Sequence, residues 1–498
     1  MPGHCRSVDV LPPVYQEWTN LREHCQFLYC SNRNCEAYAY RVYAFFPSAG
    51  KSKRWAFGFA TDRPVFKVMA VDSQVEKPYR YNHGFIVLSG KEFFDQSGQL
   101  TFPPPRKHLP PPKEDGSYFT VYGPSVAHSG ILLKANTYNL CQGLQRLTST
   151  RDPVNPDVEI ELRTNQRQFL RNHNGLFKLL SNLYEPAFLE YNNIFEEIDA
   201  HISDPHPKKL LRENALAELI ESGRLLEHLW FYDAPVNYKC KKLENAKPGK
   251  FIRLIADLGV HASLQGFVLT GMLKKAMAAN VFEYNGGIIE FCPKPSPTSL
   301  ERIFALLIDP PRDKRFYFVY FSDDSCIAFR TPTGTIVRAN VDISSCDASH
   351  TQHLFNEMRT LLSGEANRNI NLLIDQLGSP FTVKSGDGPE KVLLKPITER
   401  LYSGSTLTTV TNNFACITIA VGISETGLTG LKDITSGARN AGYIVTFDYA
   451  SSNYNLLQFL KHSPCYDTSR ELRAVLNVGV ILRLSGTCKG DLPGRKST

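Results

Sequence analysis

Arg315-Phe-Tyr-Phe-Val-Tyr-Phe-Ser-Asp-Asp-Ser-Cys-Ile-Ala-Phe329 sets two apolar runs on either side of a short polar break. Aromatic and β-branched runs flanking such a break predict two strands joined by a tight turn at Ser322, Asp323, Asp324 and Ser325. Asp and Ser are ordinary turn residues, so an isolated case carries no chemistry. The sequence downstream changes that. Thr331-Pro-Thr-Gly334 predicts a second turn, and Thr335-Ile-Val-Arg-Ala-Asn-Val341 a third strand. About seven residues run down from Asp324 to that turn and about eight run back up to Asp342, so at roughly 3.3 Å per residue the two lengths nearly cancel. Adjacent strands lie about 4.8 Å apart, which brings Asp342 beside Asp323 and Asp324 at one end of the sheet. Three carboxylates gathered there repel one another unless a cation is bound. Hard oxygen donors suit Mg²⁺ or Mn²⁺, and such a site is built for two-metal phosphoryl transfer.

Asp347 follows in the same segment, ahead of a helical pattern over Ala348-Ser-His-Thr-Gln-His-Leu-Phe-Asn-Glu-Met-Arg-Thr-Leu-Leu362. On its own it reads as a helix N-cap. Further on stands Ser403-Gly-Ser-Thr-Leu-Thr-Thr-Val-Thr-Asn412. Its threonines and valine favour a strand by propensity. On a helix, Thr408 and Asn412 share a face. An Asp and an Asn aimed together at a sugar can accept from and donate to a 2′-hydroxyl, the group that separates RNA from DNA.

These three segments resemble motifs C, A and B of viral RNA-dependent RNA polymerases, here in the permuted order C, A, B found in birnavirus and permutotetravirus polymerases. The resemblance extends to Lys247-Pro-Gly-Lys-Phe-Ile-Arg-Leu-Ile255, similar to motif F, in which Lys250 and Arg253 would neutralise nucleotide phosphates. Ala441-Gly-Tyr-Ile-Val-Thr-Phe-Asp448 is similar to motif D, and Leu457-Gln-Phe-Leu-Lys-His-Ser463 to motif E, which grips the primer. Motif C departs from the common Gly-Asp-Asp, since Ser322 replaces Gly while both acids remain. Motif D lacks the lysine that often follows its strand, leaving Lys432, Arg439 or solvent as proton donors to pyrophosphate.

The resemblance implies an α+β right-hand fold of fingers, palm and thumb, its antiparallel palm sheet packed on helices. The boundaries it implies are an N-terminal region over 1–110, fingers over 111–300 with motif F at 245–275, and a permuted palm over 301–450. Within the palm, motif C spans 316–329, motif A 338–350, a fingers insertion 365–400, motif B 402–421 and motif D 430–450; motif E and a short thumb take 451–498. It implies Asp323, Asp324 and Asp342 as catalytic metal ligands, and Asp347, Ser403, Gly404, Thr408, Asn412, Lys250 and Arg253 as substrate-binding. It implies Mg²⁺ or Mn²⁺ as cofactor, and RNA template, primer or product strand, NTPs and viral or host replication proteins as partners. The expected location is a replication complex in the host cytoplasm, or the virion.

Composition sets looser bounds. A chain of 498 residues is long enough to divide into domains, and 42% hydrophobic with 21% charged residues is ordinary for a globular protein. The net charge of +7 suits a polyanionic partner without pointing to one. Met1-Pro-Gly-His-Cys-Arg lacks the layout of a secretory signal, and apolar runs such as Phe414 to Ile423 are too short to span a bilayer. The 12 cysteines are scattered, as free thiols are; Cys5, Cys25, Cys30 and Cys35 with His24 lack the spacing of common zinc knuckles. Phe102-Pro-Pro-Pro-Arg-Lys-His-Leu-Pro-Pro-Pro-Lys113 reads as an extended linker. Helical periodicity is expected from about Glu159 to Leu229, and strand-and-turn texture from about Phe251 to the end. Two other functions compete. A non-catalytic RNA-binding replication factor with this fold would have no use for intact Asp323, Asp342, Asp347 and Asn412. A reverse transcriptase would carry a bulky residue where Asp347 stands.

Overall fold

The run Phe316 to Ile343 folds as three consecutive antiparallel strands, and the rest of its sheet is laid on either side. The computed structural model describes residues 155–189, 209–222, 236–240, 253–293, 295–384 and 391–484, with short pieces elsewhere. Two compact units divide the chain: Met1–Thr101 with Lys391–Thr398, and Phe102–Glu390 with Glu399–Thr498. In the first, Phe85–Ser89 pairs antiparallel with Lys391–Pro396 and with Arg80–Tyr81. The proline stretch 102–113, Cys25, Cys35 and His24 lie outside the described residues; Cys5 and Cys30 are backbone partners in a two-stranded ladder.

The second unit holds the central sheet. Its strands are β1 (Phe282–Tyr284), β2 (Gly287–Phe291), β3 (Phe316–Phe321), β4 (Asp324–Arg330), β5 (Ile336–Ile343) and β6 (Val445–Ser451), side by side in that order. The expected antiparallel sheet needs one correction, because β2 and β3 run parallel. Parallel neighbours require a crossover, and α1 (Pro297–Ile308) supplies it. Ser296 and Ser299 cap that helix reciprocally, with Pro297 in its first turn. Its apolar face, Leu300, Ile303, Phe304 and Leu307, packs on Tyr317, Val319, Cys326 and Ala328.

On the other side lies α2 (Thr408–Ser424), buried from Val410 to Ser424. The strand propensity of its threonines and valines is overridden; burial on every side turns the same branched residues into core. Phe414 meets Phe177 with ring centroids 5.5 Å apart. Gly422 and Gly437 let α3 (Leu431–Asn440) lie against α2, where a Cβ on Gly422 would come within 2.4 Å of the Gly437 carbonyl oxygen. Strand texture does not dominate after Phe251. Val260–Ala279 is a long helix whose apolar residues are spread rather than gathered on one face, so it lacks the one-sided period that marks an amphipathic helix.

Two shorter expectations also change. The pattern over Ala348–Leu362 is not one helix but two, Cys346–Ser349 and Gln352–Arg359, broken at His350–Thr351. Thr351 caps the second by accepting from the His353 amide at 3.2 Å. Asp347 is not an N-cap; it lies in the first turn of Cys346–Ser349, behind Ser345 at φ 49°. Upstream helices span Pro156–Asn172, Asn174–Leu189 and Lys209–Glu221.

Candidate active site

β3 and β4 are joined by a two-residue loop, since Phe321 faces Asp324 across the ladder. That leaves Ser322 and Asp323 in the turn, with Ser322 at φ 55°. The first loop position therefore takes a conformation that glycine adopts freely and serine does not. Asp323 is exposed at the tip, and Asp324 half-buried behind it. The next strand returns in register, so Asp324 and Asp342 stand directly opposite. Asn340 Nδ2 donates to Asp324 Oδ1 at 3.3 Å. Burial raises the pKa of Asp324 above the ordinary carboxylate range, and Asp323 and Asp448 push the same way; Asn340 and the Leu460 backbone amide oppose them. Asp448 reaches this neighbourhood through a bulge: Val341 faces Phe447 and Asn340 faces Tyr449, which leaves Asp448 as the extra residue.

Helix α2 holds the turn from below. The Ser322 amide donates to Asn413 Oδ1 at 2.7 Å, and Cys416 Sγ donates to the Ser322 carbonyl at 3.0 Å. Asn412 Nδ2 donates to the Ser322 hydroxyl oxygen at 3.2 Å. Asn412, Asn413 and Cys416 are each at most 2% exposed, so their polar atoms meet protein partners rather than solvent. Sequence reasoning missed Asn413 and Cys416. Two adjacent asparagines in an otherwise apolar helix were the available signal, because buried amides need partners.

Several of the residues expected to read a sugar also converge. Ser403 donates its hydroxyl to Asp347 Oδ2. Burial raises the Asp347 pKa; the Ser403 hydrogen bond, the Arg253 charge, the Asn412 amide and the Arg146 charge counter it. Arg253 of the motif-F-like segment thus acts on the same carboxylate as Ser403 and Asn412. The reason for Gly404 is steric. Its φ is +100°, and a Cβ there would sit 2.4 Å from the Ala256 carbonyl oxygen. The Ala256 amide donates to the Ser403 carbonyl at 2.7 Å, docking this turn on the strand Leu254–Asp257, itself paired antiparallel with Val236–Cys240. Thr408 does not join the cluster; its hydroxyl donates to the Tyr402 carbonyl at 3.1 Å, closing the turn that leads into α2.

Lys250 lies outside the described residues. Arg439 makes a two-pronged pair with Glu161, at 2.8 and 2.7 Å, which raises its pKa and makes it a poor proton donor; Lys432 is exposed. The motif-E-like segment forms a tight turn at Leu460 and Lys461, both at positive φ, between Phe459 and His462. Among the described residues, no group of three or more His, Cys, Asp or Glu side chains is arranged to hold a metal ion, and no helix is long and apolar enough to cross a membrane.

No sequence model of a known family matches the chain, and no curated protein sequence does. Among solved structures, it is similar to the RNA polymerase VP1 from Infectious Pancreatic Necrosis Virus, at 10% identity and a TM-score of 0.37, over 61% of this chain and 42% of that one. It is likewise similar to a birnavirus VP1–VP3 complex, at 11% identity and a TM-score of 0.37, over 61% of this chain and 43% of that one. The chain thus spans less than half the length of either. At that level of similarity, any functional reading stands on this chain's own residues.

Proposed function

We propose that the chain carries out template-directed RNA synthesis, transferring nucleotides from NTPs to the 3′-hydroxyl of an RNA strand, in the replication or transcription of an RNA virus genome. The observation that carries this reading is the register of β4 and β5, which sets Asp324 opposite Asp342 with Asp323 in the adjoining turn. The reading is that of a right-hand polymerase whose palm has its motifs in the order C, A, B.

By donor type the acids suit Mg²⁺ or Mn²⁺, since all are hard carboxylate oxygens. A bound cation would offset the burial and the Asp323 and Asp448 charges that disfavour ionised Asp324, although among the described residues no three of the acids are arranged around one metal position. Asp323 and Asp342 would hold the ions, with Asp324 beside them. When bound, the ions supply an activated 3′-hydroxyl and charge neutralisation at the leaving pyrophosphate. The chain's own residues do the rest. Asp347, held by Ser403 and by the Asn412 amide, would present an acceptor to the ribose 2′-hydroxyl. Arg253, and Lys250 with it, would meet the phosphates. Exposed Lys432 or solvent would protonate pyrophosphate. The partners follow: an RNA template and primer, NTPs, and viral or host replication proteins, in the host cytoplasm or the virion.

A primed-template assay comparing ribonucleotides with deoxyribonucleotides tests the proposal. Ribonucleotide incorporation that falls by at least about 10³-fold in Asp342→Ala is expected, the scale on which removing a central charge-stabilising group acts. Persistent incorporation in that variant would sink the site, and a preference for deoxyribonucleotides would overturn the substrate. No incorporation by the wild type would favour the RNA-binding factor instead.

A further inference from the structure

The break at His350–Thr351 is held from both sides by one buried residue. Gln166, fully buried on the helix Pro156–Asn172, donates through Nε2 to the Ser349 carbonyl at 3.3 Å and accepts at Oε1 from the Thr351 amide at 3.0 Å and from its hydroxyl. Between those anchors His350 turns inward and is 4% exposed. Its Nε2 lies 2.9 Å from Asn412 Oδ1 and its Nδ1 lies 3.4 Å from the hydroxyl of buried Tyr443. Cys346 Sγ is 3.7 Å from the same Nε2.

For a neutral imidazole beside Asn412 Oδ1, these contacts run in one direction of donation. Tyr443 donates its hydroxyl hydrogen to Nδ1, Nε2–H donates to Asn412 Oδ1, and Asn412 Nδ2 donates onward to the Ser322 hydroxyl oxygen. Asn412 Nδ2 carries two hydrogens, and the second serves Asp347, whose carboxylate is stabilised by a hydrogen bond from Asn412. An asparagine amide turned end for end would present its oxygen to the Asp347 carboxylate, two acceptors facing each other. A donor at His350 Nε2 prevents that flip. A smooth apolar side chain at the same place would not.

We infer that His350 is a positioning residue for ribonucleotide selection: by donating from Nε2 it fixes the Asn412 amide so that N–H faces the Asp347 site, where the sugar 2′-hydroxyl is to be read. The inference rests on the polymerase reading above and deepens it. His350 itself touches no substrate. Its loss should therefore weaken the distinction between sugars while leaving the transfer step largely in place.

The test uses the full chain on a primed RNA template, measuring kcat and KM separately for a ribonucleotide and its deoxy counterpart. His350→Phe, which keeps a ring and removes both nitrogens, is expected to lower the ribo-to-deoxy ratio of kcat/KM about tenfold, the worth of one well-placed hydrogen bond. The loss should fall mainly on the ribonucleotide. His350→Gln, whose amide N–H can reach where Nε2 stood, should restore most of the ratio. An equal loss for both sugars, or no rescue by glutamine, overturns the proposal and leaves His350 a core residue. Should the phenylalanine variant not fold, Tyr443→Phe removes only the hydroxyl upstream in the chain of donors and is expected to lower the ratio about threefold; an unchanged ratio overturns the proposal equally. A wild type that incorporates no nucleotide brings down the polymerase reading and this inference together, whereas an active wild type with sugar-independent losses removes this inference alone.

Discussion

Ser322 occupies a left-handed φ of 55° at the position where the motif it resembles carries glycine. A non-glycine residue there costs about 1 to 2 kcal/mol, and the hydrogen bond its hydroxyl accepts from Asn412 returns about 1 kcal/mol. The two nearly cancel. Ser322→Gly is therefore expected to leave stability within about 1 kcal/mol of wild type, while Ser322→Val should cost about 2 kcal/mol or more in denaturant titration, having both a branched Cβ at positive φ and no acceptor. The carboxylates predict a pH effect. Burial raises the Asp347 pKa in the folded chain above its unfolded value, so folding takes up a proton. Stability from this group is complete below the ordinary carboxylate value and falls as pH rises through the raised one. Asp347→Asn should thus flatten the decline in melting temperature between acidic and neutral pH and raise it at neutral pH. It cannot abolish the slope, because Asp324 is shifted the same way. An asparagine variant less stable at neutral pH would contradict the burial account. The acidic turn and its return strand were legible because strand length and a period of two can be counted along a sequence, whereas Asp347 was singled out only by the motif it resembles. Asn413, Cys416 and His350 were not. Their partners lie far away in the chain, as with the 91 residues between Ser322 and Asn413, and no local spacing encodes such a contact.

Helix α2 shows how an element can contradict its own propensities. Thr408-Thr-Val-Thr411 would favour a strand in isolation, yet all of Val410–Ser424 is buried, and a residue buried on every side is chosen for volume rather than period. The broken helix Cys346–Arg359 is the opposite case. Its apolar spacing reads as continuous, and the interruption comes from Thr351 capping a new helix while Gln166 holds the backbone open. Between these elements, the turn at Ser403–Gly404 depends on close backbone contact with Ala256. Gly404→Ala places a Cβ 2.4 Å from a carbonyl oxygen at φ +100°. It should destabilise by at least about 2 kcal/mol and displace Ser403 from Asp347, so that the melting temperature and ribonucleotide affinity fall together. A stable Gly404→Ala with unchanged affinity would show that the docking is dispensable.

Across the whole molecule, the sheet order follows the sequence order from β1 to β6, and its centre is the most local part. β3, β4 and β5 are joined by turns of a few residues, and Phe318, Ile327, Ala328 and Ala339 have no exposed surface. Short connections lower the entropy of bringing strands together, and full burial restricts local opening. Amides of Cys326–Phe329 and Val337–Val341 should therefore be among the slowest to exchange with deuterium, and those of the hairpin His462–Leu476, whose strands are half-buried or exposed throughout, markedly faster. Phe318→Ala should cost about 3 to 5 kcal/mol. The parallel pairing of β2 with β3 was not legible, because nothing in Gly287–Phe291 states the direction of its neighbour; only the crossover through Pro297–Ile308 sets it.

The turn from Thr331 to Thr335, closed by the Thr331 amide on the Thr335 carbonyl at 2.8 Å, lies at the opposite end of β4 from the acids. Six residue steps separate Asp324 from Arg330, which at roughly 3.3 Å each is about 20 Å. Thr333 is exposed there, on a loop whose threonine hydroxyls bond to one another. A fluorophore attached at Thr333 would ride on the same strands as the carboxylates without touching them. Under the proposed function, pairing it with a dye on a template strand would offer a ruler for following nucleic acid past the acids.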